Sequence, residues 1–536
     1  MTAPQKLETV LLLFAVLLLG MAASRRLPIP YPVLLVLTGL GLGLVPGLPA
    51  PRLDPDAVFL IFLPPVLWAA AYFTSLRDFR ANARPITMLA VGLVCATAAV
   101  DAFAARELFP GLSWPAAIAL GAIVSPPDAV SATAVIRTLG VPRRAVTVLE
   151  GESLVNDATA LILYRAAVAA MLAGHFELAH SLGAFFVAAV LGVVIGVAVG
   201  FAVTLAITST RDSLAQILIT LMAPYFAWTI GERAHASAVL ACVAGGLVLR
   251  RHFSTVAPAT RLQSRAVWDL VLFVVNGTVF LLIGLQLPTL VADVPEWREL
   301  VGPGVVIAAT AIAIRLLWVP VVAWLPRALS PALAARDPMP SWQTLFLVGW
   351  SGLRGIVSLA AALALPLTLA DGTPLPFRSE LILLTFIVIL ATLVVQGLLL
   401  APIVTVLRFP ADDEPLREER HARTHAAQTA LARLGELASE PWADPHTLAA
   451  LRDHYETRLA RAEQGRDTEE GAASSLAERG EKRARFATLL AERLALIRLR
   501  DDGAIGDEVL LALEAELDLE AARNGLADLH VNDAGE

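Results

Sequence analysis

The sequence predicts an all-α polytopic membrane protein with a helical tail. Three observations predict it. Of 536 residues, 57% are hydrophobic, and the mean hydropathy is +0.68. Soluble domains run at about 45–50% apolar. Charged residues make up only 17% of the chain and crowd into the part after Arg408, where the apolar runs stop. Between the apolar runs, basic residues favour every second loop, the bias expected of a chain threaded through a bilayer.

A membrane helix needs about 20 mostly apolar residues. The chain holds about thirteen such segments, at roughly 8–23, 28–48, 56–73, 84–106, 113–139, 144–172, 181–208, 212–231, 237–250, 267–289, 300–326, 341–368 and 380–408. The first ends near Ala22-Ala23-Ser24, as a secretory signal does, but Arg25 and Arg26 follow the apolar run instead of preceding it. It reads as the first membrane helix. One set of loops carries Arg25, Arg26, Arg77, Arg80, Arg84, Arg137, Arg143, Arg144, Arg327 and others. The opposite set carries only Lys6, Arg52, Arg106, Arg233, Arg298 and Arg378. The positive-inside rule then puts the N-terminus outside and the C-terminal tail in the cytoplasm, with the chain in the inner (plasma) membrane.

The organisation expected is a membrane domain over 1–408 and a cytoplasmic helical tail over 409–536. Leu489, Leu490, Leu494 and Ile497 in the tail stand at helical spacing, and Glu440-Pro441-Trp442 is a break. Such a tail reads as a solvated hairpin, a dimer contact or a regulatory sensor. The net charge of -7 is concentrated there and points to no nucleic-acid partner. Cys95 and Cys242 both sit inside apolar runs, so neither a disulfide framework nor a cysteine metal site is expected.

Ionisable side chains are costly in hydrocarbon and face a bundle interior or a wet cavity. Two neighbouring spans carry several. The fifth reads Ser125-Pro126-Pro127-Asp128 near its middle. Two prolines remove two backbone donors, so the helix breaks there. Broken helices at membrane depth line cavities, and their half-helix ends form ion-binding dipoles. Asp128 at the break either caps the second half-helix or contacts an ion, and both roles are compatible.

The sixth span opens with Glu150-Gly151-Glu152-Ser153-Leu154-Val155-Asn156-Asp157. Ser153, Asn156 and Asp157 stand at i, i+3 and i+4 and share a helix face. A hydroxyl, an amide and a carboxylate are hard oxygen ligands, suited to Na⁺ or K⁺. Burial disfavours a charged carboxylate, so Asp157 holds either a proton or a cation. That competition is the logic of an antiporter. A buried structural Asp is the plainer alternative. The twelfth span carries Gly352-Leu353-Arg354-Gly355, whose arginine needs an anion; Glu152, off the Asp157 face, is the expected partner, as a structural ion pair. Arg315 is central in its span, Asn276 and Gln286 lie in or near spans, and Asp101 is placed near the outer interface. A channel would need a filter-like segment, and none is visible. A diaspartyl intramembrane protease would have only Asp128 and Asp157 to work with and lacks a Gly-x-Gly-Asp motif. No enzyme activity and no cofactor are expected.

Together these segments resemble the cation:proton antiporter-1 family, over roughly 8–408. The most specific element is Gly151-Glu152-Ser153-Leu154-Val155-Asn156-Asp157, followed by Gly352-Leu353-Arg354-Gly355, Phe62-Leu63-Pro64-Pro65 and Ser125-Pro126-Pro127-Asp128. The resemblance implies thirteen helices in two inverted repeats, with two crossed broken helices, a core subdomain and a dimerisation subdomain, hence a homodimer. It implies Asp157 as carrier carboxylate, Asn156 as its stabiliser, Ser153 and Asp128 as further ligands, and Glu152 with Arg354 as an internal ion pair. A single carboxylate preceded by Asn implies electroneutral exchange of one Na⁺, or K⁺, for one H⁺, in pH and cation homeostasis. Two departures loosen the expected site: Ala69 stands about where many members place an acidic or amide side chain, and Pro127 replaces the more usual Thr. They bring K⁺ close behind Na⁺.

Overall fold

The computed structural model describes residues 3–523, apart from 25, 28, 46–53, 129–131, 134, 135, 137–140, 174–177, 253–257, 410–413, 441, 442, 464–475, 503, 505 and 506. Arg25, Arg52, Arg137 and the Pro441-Trp442 break therefore lie outside the described residues. The chain divides into two units, Met1–Ala411 and Asp412–Glu536.

The first unit is a helical bundle with no strand among the described residues, only an isolated bridge between Thr368 and Pro374. Its helices are α1 (Ala3–Ser24), α2 (Tyr31–Gly43), α3 (Pro55–Phe73), α4 (Ala83–Leu108), α5 (Trp114–Val124), α6 (Arg143–Ala173), α7 (Leu178–Ser209), α8 (Ser213–Arg233) and α9 (Ala238–Arg251). They continue with α10 (Pro258–Leu285), α11 (Trp297–Leu329), α12 (Trp342–Trp350), α13 (Ile356–Leu363) and α14 (Arg378–Leu407), with short helical turns between some of them. Among the described residues, eight helices are long and apolar enough to cross a membrane. The parsing into about thirteen segments also draws on shorter apolar pieces such as α2 and α5.

Local chemistry sets many of the helix starts. Ser113, Ser237 and Ser341 accept from the backbone N–H three residues on, and Asp212 accepts from that of Leu214, so each caps its helix. Prolines decide where a helix deforms. Pro64 and Pro65 supply no N–H, and the turn just before them, Val58–Phe62, widens to a π-helix. The Tyr225 hydroxyl donates to the Ile61 carbonyl there at 3.2 Å.

Bundle packing relies on small residues, as expected where lipid is as apolar as the side chains. Gly39 of α2 and Gly284 of α10 face each other so closely that a Cβ on either would collide with backbone of the other helix. α7 packs along α9 and turns an apolar stripe, with Phe186, Val190, Val194, Phe201 and Leu205, outward.

At the end of the bundle where the arginine-rich loops lie, one carboxylate ties three helices. Asp337 takes Arg84 of α4 at 2.7 Å, Arg144 of α6 at 2.8 Å and Arg327 of α11 at 2.8 Å. Partial burial pushes its carboxyl up, but the hydrogen bond and charge of Arg144, then of Arg327, outweigh this and hold it below the usual carboxylate range. A depressed value means stability that is present above the ordinary carboxylate pKa and lost as pH falls through the lowered one. Asp337→Asn should therefore destabilise the protein at pH 7 by on the order of 1 kcal/mol after solvent screening, read as a lower unfolding temperature. The gap between mutant and parent should close in melts taken below about pH 4; a gap independent of pH would remove the charge network as its cause.

The second unit is helical. Glu414–Leu437 pairs with Pro445–Glu463, and Leu476–Asp501 pairs with Asp507–Arg523. Leu489, Leu490 and Ile497 are half-buried, while Leu494 is exposed.

Candidate functional site

Two segments in the middle of the bundle are not helical. Ser125–Asp128 comes directly after α5, and Ser351–Gly355 separates α12 from α13. They meet: the Asp128 N–H donates to the Leu353 carbonyl at 2.6 Å. The prolines explain the first break and the glycines ease the second. These match the two crossed, broken spans that the family resemblance implies, although most of residues 129–140 lie outside the described residues.

A broken helix leaves carbonyls without partners, and buried ones must be paired. Side chains from four places supply the donors. The Ser125 hydroxyl donates to the Ala122 carbonyl at 2.9 Å. Asn156 of α6 donates its amide N–H to the Pro127 carbonyl at 2.8 Å. Gln396 of α14 donates to the Trp350 carbonyl at 2.9 Å. Arg354 donates from Nε to the Val124 carbonyl at 3.0 Å and from its terminal nitrogen to the Gly352 carbonyl. Its guanidinium thus sits at the C-terminal, electronegative end of α5, where a cation is favoured.

That placement corrects the expected ion pair. Glu152 does not bind Arg354; both its oxygens take Arg315 of α11, at 2.5 and 2.8 Å. Glu152 and Arg315 are 1% and 2% exposed, and Arg315 Nε also holds the Val348 carbonyl at 3.2 Å. The reason is geometric. The break in α5 claims the Arg354 guanidinium for bare carbonyls, while the long arginine of α11 presents a planar fork matched to a carboxylate. Asp101 is fully buried within the bundle, and its Oδ1 accepts from the Thr310 hydroxyl of α11 at 2.7 Å.

Around the crossing lies a cavity of about 70 Å³. Asp157 and Ser153 line it from α6, Asp128 and both prolines from the first break, and Gly355 and Ser358 from the second. The facing wall is apolar, built by α3 and α10, and Asn276 of α10 is its polar exception. On α3 the wall is formed by Phe62, Leu63, Val66, Leu67 and Ala70, the last next to the Ala69 singled out in the sequence, so no side-chain oxygen comes from that helix. A water needs about 10–15 Å³ of such space, so the cavity has room for several water-sized groups.

The structure therefore brings Asp157, Ser153 and Asp128 to one cavity. Asn156, fully buried, stands behind them and holds the Pro127 carbonyl. Asp128 packs against Gly355, the residue that precedes the first turn of α13, a position that favours an anion. A Cβ at Gly355 would stand 2.9 Å from both Cβ and Oδ2 of Asp128. Gly355→Ala should thus push this carboxylate out of the cavity and raise the apparent cation KM, while leaving the protein folded. Wild-type cation affinity in the purified variant would contradict the placement. Ser358, Thr392 and Gln396 were not singled out from the sequence. The last two stand at i and i+4 in a largely apolar span that also holds Thr385, a pattern that could have flagged them.

Comparison with known proteins agrees with this architecture. The family model described as sodium/hydrogen exchanger, transmembrane, matches residues 12–406. An uncharacterized Na(+)/H(+) exchanger of Mycobacterium tuberculosis is 36% identical over 522 residues, 96% of this chain and 95% of the relative. A protein of Bacillus pumilus named as a sodium, potassium, lithium and rubidium/H(+) antiporter is 31% identical over 409 residues, 73% of this chain and 60% of the relative. Among solved structures, the sodium proton antiporter MjNhaP1 from Methanocaldococcus jannaschii at pH 8 matches with a TM-score of 0.58 at 16% identity, covering 75% of this chain and 99% of that one. With a family model spanning its membrane unit and a relative matched nearly end to end, the chain belongs to the sodium/hydrogen exchanger family and is a cation/proton antiporter.

Proposed function

We propose that Asp157 carries either a proton or one Na⁺ in each half-cycle, with K⁺ as the alternative cation, and that exchange is one for one and electroneutral. The observation that carries this reading is the buried Asp157 carboxylate in a cavity with Ser153 and a second carboxylate, Asp128, beside two unwound segments. A site of that size and composition suits a hard monovalent ion. Bound proton and bound cation exclude each other because each satisfies the same buried charge. Asp128, held near the start of α13, stays in place as a ligand, and Asn156 keeps the Pro127 carbonyl fixed.

Potassium is favoured as the alternative by the absence of a side-chain oxygen at Ala70 and by the range of ions for which the Bacillus pumilus relative is named. The unit works in the cell membrane by alternating access, as a homodimer with the N-terminus outside and the tail in the cytoplasm. It uses no cofactor, and its small partners are the transported ions. The test is reconstitution into proteoliposomes with Na⁺, K⁺ and Li⁺ offered in turn across pH. Cation-driven proton release without net current is expected. A current on a solid-supported membrane that scales with turnover would refute one-for-one exchange.

A further inference from the structure

Ser358 lies in the first turn of α13, on the half-helix that begins at the second break. It is 1% exposed, and its hydroxyl has no hydrogen-bond partner among the described residues. A buried hydroxyl without a partner is costly. The other buried serines near the breaks avoid that cost: Ser125 donates to the Ala122 carbonyl at 2.9 Å, and Ser351 to the Leu347 carbonyl at 2.7 Å. The difference is position. Ser358 is in the first turn after an unwound segment, and its side chain borders the same cavity as Asp157, Ser153 and Asp128.

We propose that Ser358 is a cation ligand supplied by the second broken helix, and that its hydroxyl helps determine which monovalent cation the site prefers. The inference rests on the reading of this cavity as the cation site. A cation entering the cavity must replace lost hydration with protein oxygens. Asp157 and Ser153 supply them from α6, Asp128 from the first break and Asn276 from α10, while α3 supplies no side-chain oxygen. Ser358 closes the set from the α13 side and becomes satisfied by the ion itself. Small, strongly hydrated ions have the most hydration to replace, so Li⁺ and Na⁺ depend on this oxygen more than K⁺ does.

The test uses full-length protein in proteoliposomes, with Na⁺, K⁺ and Li⁺ titrated separately. Ser358→Ala is expected to raise the apparent KM for Na⁺ and Li⁺ by about tenfold, the loss of one modest ligand, and that for K⁺ by less. Ser351→Ala, whose hydroxyl is already engaged with a carbonyl, is expected to keep the parental order of cations. Ser358→Cys is nearly isosteric and replaces a hard oxygen with a soft sulfur. It should move the Tl⁺ to Na⁺ affinity ratio about tenfold toward Tl⁺, read by exchange or by cation-dependent melting of the purified protein. The same vesicles carrying Asp157→Asn report on the underlying reading, which fails if that variant still exchanges. If Asp157→Asn is inactive while both Ser358 variants keep the parental KM values and ion order, the ligand role is wrong. A uniform fall in rate with unchanged KM values would likewise overturn it, because a packing role alone produces that result.

Discussion

Asp157→Asn is expected to reduce cation-dependent proton exchange to the level of protein-free vesicles, with yield and melting temperature close to those of the parent. The substitution keeps the side chain's size and one oxygen. It removes the ability to be charged, which is what lets one group hold a proton in one half-cycle and a cation in the other. Asp157 is 8% exposed and borders the cavity with Ser153 and Asp128. Neither neighbour can take over, since Ser153 has no charge to give and Asp128 is packed against Gly355 and tied by its backbone to Leu353. The measurement is dequenching of a pH dye in everted vesicles on addition of Na⁺ or K⁺. Parental dequenching by the mutant would end the single-carboxylate mechanism.

The second large effect is on stability. Glu152→Gln should destabilise the protein by about 3–5 kcal/mol, because Arg315 is left charged and buried without its counter-ion. Both hydrogen bonds of the fork, at 2.5 and 2.8 Å, end on the carboxylate that the substitution neutralises. Replacing the whole pair, as Glu152→Leu with Arg315→Met, should recover much of the loss, since apolar substitutes avoid the desolvation cost. A double-mutant cycle in detergent melts separates the possible partners. Strong coupling is expected between positions 152 and 315 and weak coupling between 152 and 354. The reverse pattern would restore Arg354 as the partner of Glu152 and would refute the Glu152–Arg315 fork.

These two outcomes also mark the division between chain and fold. Asp157 was legible because an acid deep in an apolar span, with no basic neighbour in its own turn, is too costly to keep without a function. Asp128 was legible because two adjacent prolines cannot continue a helix. Ser153 was legible from its spacing to Asp157. The arginine partners were not. Arg315 and Arg354 both sit in apolar surroundings, and one dimension does not say which of them reaches Glu152. Ser358 was not legible either. A serine in an apolar helix commonly bonds back to its own carbonyls, and only the cavity shows that this one does not.

The sequence by itself determined a helical membrane protein, the break at Pro126-Pro127, and a buried carboxylate, Asp157, as the candidate for exchange, since all three arise from local chemistry. Hydropathy, missing backbone donors and a stranded charge need no neighbour to be read. The tertiary structure alone decided that Arg354 serves the bare carbonyls of the first break, that Glu152 belongs to Arg315, and that Ser358 joins the cavity of Asp157. Each of these matches joins groups more than 160 residues apart in the chain. Such pairings depend on which helices cross, and in this bundle the crossings depend on where glycines let backbones touch.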